Sequence, residues 1–174
     1  MKALFSVKVL LLVLCLMFLS SKLKAQDDMG KPAPVKSATM EMMLGTWKSD
    51  PYDFFGSKWT DQAVHTMRHN GQYMFIDISG SDDKSHSYTG TIVISTDKDG
   101  NLTGWSFDDW GGVTTYTGKA DGNKVTVTGK NAMMSETREI EINGSTMVHK
   151  VASSFKGQDG KDMTMTATVT YHKQ

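Results

Sequence analysis

The residues best suited to chemistry stand late in the chain. Glu136 and Arg138 alternate with Ile140 and Ile142 in SETREIEIN, and His149 lies between Met147 and Val151 in the run that follows. On β-strands, period-two alternation puts each of these sets on one face, so the arginine and the histidine share the apolar side. An arginine buried there is costly unless a carboxylate pairs with it. Its planar fork of donors also suits bidentate contact with a ligand carboxylate. Arg138, with His149 and Tyr171 on following strands, is therefore the expected polar end of an internal cavity. The competing reading pairs Arg138 with Glu136 or Glu139 at a barrel rim, where it only stabilises the fold. Further upstream, NLTGWSFDDW sets Trp105, Phe107 and Asp109 on one face, with Tyr116 on the next strand. Trp105 and Tyr116 are candidate ligand contacts, although aromatic side chains fill cores as readily as they stack on ligands.

Other constellations carry less. His65 and His69 have a chelating spacing on a helix, but on a strand they stand roughly 13 Å apart at about 3.3 Å per residue. His86 and His172 fall in a loop and near the chain end. A haem or zinc site would thus rest on a single histidine, and no metal or cofactor is expected. Thirteen methionines include the clustered Met40, Met42, Met43, Met133, Met134, Met163 and Met165. Thioethers can select Cu(I), yet Met163 and Met165 alternate with threonines and read as adaptable packing. DKDGN, Asp97 to Asn101, lacks the glycine and glutamate positions of a calcium loop. No nucleophile elbow or phosphate-cradling glycine loop occurs. Adjacent Asp108 and Asp109 face opposite ways on a strand and cannot work as a pair across one bond.

The elements that must position these residues are strands. Alternation in QYMFIDIS, SYTGTIVIST, NKVTVTGK, SETREIEIN and KDMTMTATVTYHK is rich in Thr, Val, Ile and Tyr, which suit pleated surfaces. Asn70-Gly71, Asp99-Gly100, Asp121-Gly122, Asn143-Gly144 and Asp159-Gly160 separate the runs, and such pairs fit both positive-φ positions of a tight hairpin turn. Strands are expected over about 45–50, 59–69, 72–79, 87–96, 102–109, 113–119, 123–130, 134–142, 146–155 and 162–172. Closing this all-β meander into a single antiparallel up-and-down barrel of about ten strands would remove both exposed edges. A β-sandwich is the alternative. Thr39 to Leu44 is expected to form one helical turn capped by Thr39.

Ahead of that turn, residues 26–38 (QDDMGKPAPVKSA) read as a flexible tether. Residues 1–25 combine a basic start, an apolar run from Val9 to Leu19 and a small Ala25, the pattern of a secretory signal peptide. The run is too short for a membrane span, which needs about 20 residues. Cleavage after Ala25 leaves 149 residues, with the barrel domain at 39–174. Four lysines and no acid leave with the signal, so 15 basic residues face 19 acidic ones, a net of −4. That balance gives nucleic acid and anionic membranes nothing to bind. The lone Cys15 lies in the apolar run, so the mature chain has no disulfide and no thiol chemistry. An exported protein, periplasmic or extracellular, is expected; its oligomeric state is not written in the sequence.

Leu44, Gly45 and Trp47, then Gly118, Asp121, Gly122, Val125 and Val127, and finally Tyr171 occupy the positions of a Leu-Gly-x-Trp start, a Gly-x-x-Asp-Gly hairpin and a closing strand with an aromatic near its end. Over residues 41–172 the chain resembles a bacterial lipocalin-like family of unknown function, related to the fatty-acid-binding barrels. The resemblance implies a closed barrel of about ten strands with an internal cavity. It also implies that an inward arginine, helped by a tyrosine, holds a ligand carboxylate. It implies no agreed activity. Gly45 is expected to turn the chain from the helical stub into the first strand, and Trp47 to plug the closed end. Together these readings describe a binding protein for a small apolar or amphipathic ligand. The rival is a structural or interaction protein whose barrel is filled by its own side chains, and a minor enzyme is a third reading.

Overall fold

A computed structural model describes residues 37–54, 56–156 and 160–174. The expected signal peptide, and the expected tether up to residue 36, lie outside the described residues. A six-residue helix α1 (Ala38–Met43) precedes eleven strands: β1 (Gly45–Ser49), β2 (Tyr52–Phe54), β3 (Ser57–Arg68), β4 (Tyr73–Asp82), β5 (Ser87–Thr96), β6 (Asn101–Asp108), β7 (Val113–Asp121), β8 (Lys124–Lys130), β9 (Met134–Asn143), β10 (Thr146–Lys156) and β11 (Asp162–Lys173). From β3 to β11 each strand pairs antiparallel with the next, and β1 joins the two ends by pairing with both β11 and β3. The ring so closed has ten strands, which removes the sandwich alternative. β2 stands outside it, paired through three residues to the start of β3. β1 and β2 follow one edge of β3 with a break at Pro51, which has no N–H to give to a ladder. A three-residue strand beside a proline leaves no alternation to read, so the sequence did not suggest it.

The expected strand ends agree with the observed ones to within about three residues. Three turns differ from expectation, the first being Asp99-Gly100, where the glycine alone takes positive φ, at 79°. In the other two, Asp121 pairs with Lys124 and Asn143 with Thr146, so each acidic or amide residue ends its strand and glycine opens the two-residue loop. Only Gly122 and Gly144 then take positive φ, at 57° and 62°. The helix also begins earlier than expected. Ser37 caps it, accepting a hydrogen bond from Met40 N at 3.3 Å, so the tether reading gives up its last two residues. Thr39 instead donates its hydroxyl to Gly122 O at 2.7 Å and anchors α1 across the β7–β8 turn.

That anchor closes one end of the barrel. Gly45 turns at φ 118°, a conformation that costs a glycine little. Trp47 follows, fully buried, and donates its indole N–H to Met43 O at 2.7 Å. The most deeply buried side chains, among them Met43, Met74, Leu102, Val125, Ile142 and Met147, all lie near the closed-end turns. The packed core is therefore one half of the interior, and the other half holds a different set of side chains.

Candidate functional site

Alternation carries polar residues inward at mid-barrel. β3 brings Asp61 and His65, β5 Tyr88, β7 Tyr116, β9 Glu136 and Arg138, β10 His149 and β11 Tyr171. Arg138 lies opposite Val151, and His149 opposite Ile140 and Val169, so the guanidinium and the imidazole meet on a diagonal. Arg138 Nη1 approaches His149 Nδ1 at 3.4 Å, and Nη2 reaches Glu136 Oε2 at 3.4 Å. Both contacts are long for charged partners, which usually close to about 2.8 Å. Among the described residues the Nε–H of Arg138 has no partner, nor have His149 Nε2, His65 Nδ1 and Asp61 Oδ1. The arginine side chain keeps 26% of its surface exposed and lines the interior cavities, whereas Glu136 keeps 7%.

A second centre sits beside the first. Tyr52 and Tyr171 both donate to Asp61 Oδ2, at 2.8 and 2.9 Å, and Tyr88 lies alongside. The Asp61 backbone N–H donates to Ser49 Oγ at 2.7 Å. Two glycines make room for the tyrosine rings on the strands next to them. A Cβ at Gly129 would come within 2.6 Å of the Tyr116 ring, and one at Gly80 would overlap Asp61 and the Tyr88 ring.

Burial sets the protonation of these groups. It raises the Asp61 carboxyl, against the pull of the Tyr52 and Tyr171 hydroxyls. Burial, then the Asp61 charge, pushes the Tyr52 and Tyr171 hydroxyls well above the usual phenol range. For Arg138 burial works downward, but Glu136, Tyr171 and Tyr116 together outweigh it and the guanidinium stays charged. Burial, then Arg138, holds the His149 imidazole well below its ordinary range. Burial, then Lys173, lowers that of His65 to about 4. Near neutral pH the guanidinium is thus a cation and both imidazoles are uncharged.

The polar belt divides the interior. Below it, a small apolar chamber of about 60 Å³ is bounded by Met43, His65, Ile94, Val127, Met147 and His149, which leaves room for only one or two waters. Above it, a cavity of about 290 Å³ opens at the end away from α1, with Phe54, Trp59, Tyr88, Trp110, Met134 and Phe155 in its wall. A larger trough of about 570 Å³ lies on the outer face of β3 to β6 and is open to solvent. It lacks enclosure, so the upper cavity is the better candidate site.

Arg138, His149, Tyr171 and Tyr116 all face the interior, as the alternation predicts. Arg138 pairs with Glu136 at mid-barrel rather than at the rim, and Glu139 is exposed on the outer face. Tyr171 serves Asp61 rather than reaching the guanidinium. Trp105 is a correction. With Phe107 it faces outward, 43% and 50% exposed respectively, and it lines neither chamber. The inward face of β6 is Leu102, Gly104 and Ser106. The bulky residues of this strand look like its core face, but Gly104 lies so close to Val93 O and Ile94 that a large side chain has no room there. Sequence reasoning also missed Asp61, Tyr52 and Tyr88, and weighed His65 only as a metal ligand. Among the described residues, no three His, Cys, Asp or Glu side chains are arranged to hold a metal ion. His69 sits in the β3–β4 turn, away from His65. Among the described residues, no helix is long and apolar enough to cross a membrane.

With this geometry in place, comparison with known proteins narrows to the fold. No protein-family model matches the chain, and no curated protein does. Among solved structures it is similar to Rv2717c from M. tuberculosis, with a TM-score of 0.60 over 80% of this chain and 99% of that one. The fold is shared. At 11% identity the likeness speaks for architecture alone.

Proposed function

We propose that this chain is an exported binding protein that holds a small, largely apolar ligand in the upper cavity, with the ligand's polar group at Arg138. The observation that carries this reading is the cavity of about 290 Å³ whose floor is a guanidinium with donors to spare. A filled barrel would leave no such space above the belt, which weighs against the structural alternative. The mouth supports the reading too. Of the seven exposed large hydrophobic residues among the described ones, Phe107, Trp110, Val113, Met133 and Met163 stand at the open ends of β6, β7, β9 and β11 or in the turns between them. An apolar lip around an opening suits a ligand that leaves water on entering. Export rests on the pattern of residues 1–25, and N-terminal sequencing of the secreted protein is expected to begin at Gln26.

Native mass spectrometry of protein purified from its own source tests the binding directly. A co-purified mass is expected on the wild type and absent from Ala167→Trp, which fills the cavity wall. Wild type is also expected to take up a neutral naphthalene-type dye at least about tenfold more tightly than the filled variant. A bare polypeptide mass together with equal dye uptake by both proteins would remove the proposal.

A further inference from the structure

The charges inside the barrel limit what that ligand can be, and the following step rests on the proposal that the upper cavity binds one. We propose that the cavity selects an uncharged amphiphile, such as an amide, ester or ketone whose oxygen accepts from Arg138, and disfavours the carboxylate of the same skeleton.

Three observations support this. Arg138 already faces Glu136 at 3.4 Å, so its charge has a counterpart before any ligand arrives. Asp61 adds a second interior carboxylate, and Asp108 a third at the mouth. An incoming carboxylate would be a further negative charge around one guanidinium, between low-dielectric barrel walls that screen charge less than bulk water does. This departs from the expectation that an inward arginine marks a site for a ligand carboxylate, because that use needs the arginine unpaired.

A cationic head fares no better. Asp61 Oδ2 takes the protons of Tyr52 and Tyr171, Glu136 Oε2 faces the guanidinium, and Asp61 Oδ1, though without a partner among the described residues, is buried out of reach of an ammonium. Arg138 itself would repel the newcomer. A neutral acceptor avoids both costs. A guanidinium has five N–H donors, and among the described residues its hydrogen-bond contacts are two at 3.4 Å, with Nε–H unpaired. The donors of Arg138 are incompletely used, and a carbonyl supplies an acceptor for them without adding charge. The aromatic wall of Phe54, Trp59, Trp110 and Phe155 then takes the apolar body.

Displacement of the neutral dye by decanamide, decanoate and decylammonium, at neutral pH and equal chain length, separates the classes. Wild type is expected to bind decanamide at least about tenfold more tightly than decanoate or decylammonium. Glu136→Gln keeps the shape and removes the competing charge. It is expected to tighten decanoate about tenfold while decanamide stays within about threefold. A wild-type preference for decanoate or for decylammonium overturns the inference, as does a Glu136→Gln protein with the wild-type ratio. The wild-type ranking decides by itself if that variant does not fold. Dye uptake with displacement by none of the three overturns the amphiphile class but leaves the binding cavity standing. Failure to take up the dye at all removes the underlying proposal as well.

Discussion

His65 and His149 are 4% and 7% exposed, and each has a ring nitrogen with no hydrogen-bond partner among the described residues. Such imidazoles stay folded only while uncharged. An unfolded histidine takes its proton near pH 6.5, whereas His65 in the barrel does so only at about 4. Between those values the unfolded chain binds more protons, so stability falls as the pH falls. Over that window His65 alone removes on the order of 3 kcal/mol, and His149, shifted in the same direction, adds to the loss. Asp61 opposes them in part at pH values above its ordinary 3.8, because its raised carboxyl accepts a proton in the folded state first and acid relieves its burial. The expected result is a melting temperature that drops steadily from pH 7 to pH 4.5, with a shallower slope for His65→Gln. A thermal-shift series in which the two proteins run parallel would show that His65 titrates normally.

At the scale of the element, space between neighbouring strands decides which side chains the interior can hold. Tyr116 lies opposite Gly129 and Tyr88 opposite Gly80, and each ring occupies room that a Cβ would fill. Gly129→Ala and Gly80→Ala are each expected to lose about 1–3 kcal/mol from overpacking. The outward neighbour Thr128→Ala should stay within about 0.5 kcal/mol of wild type. Urea unfolding midpoints at constant slope measure this; a Gly129→Ala midpoint matching that of Thr128→Ala would mean the ring moves aside freely. The same spacing explains what the sequence could show. Strands with one apolar and one polar face, such as Met74, Ile76 and Ile78 on β4, gave both position and orientation. On β3 the inward face is Trp59, Asp61, Ala63 and His65, half of it polar, so no apolar stripe marks it. Asp61 also finds its partner Tyr171 110 residues away, a distance over which local pattern carries no information. On β6 the outward aromatics imitated a core face. Arg138, His149, Tyr171 and Tyr116 were legible because they interrupt strongly apolar faces, whereas the carboxylate that Tyr171 serves was not.

For the molecule as a whole, closure depends on one five-residue strand. β1 sets Trp47 opposite Ala63 on β3 and opposite Lys173 on β11, so the indole sits at the seam where the first and last long strands meet. The Lys173 ammonium lies 5.3 Å from the ring centre, within reach of a cation–π attraction, and the indole N–H ties the seam to α1 through Met43 O. Trp47→Ala removes the largest fully buried side chain and is expected to lose about 3–5 kcal/mol. The loss should not be spread evenly, because the remaining strands stay joined through the ladders from β3 to β11 and only the seam loses its packing. Native-state hydrogen exchange should therefore show residues 62–65 of β3 and 169–173 of β11 opening in the variant below the global unfolding energy, while residues 104–106 and 116–118, on the far side of the ring, exchange only by global unfolding. Uniform loss of protection around the barrel would mean instead that the ten strands open as one unit and that Trp47 stabilises the core without guarding the seam.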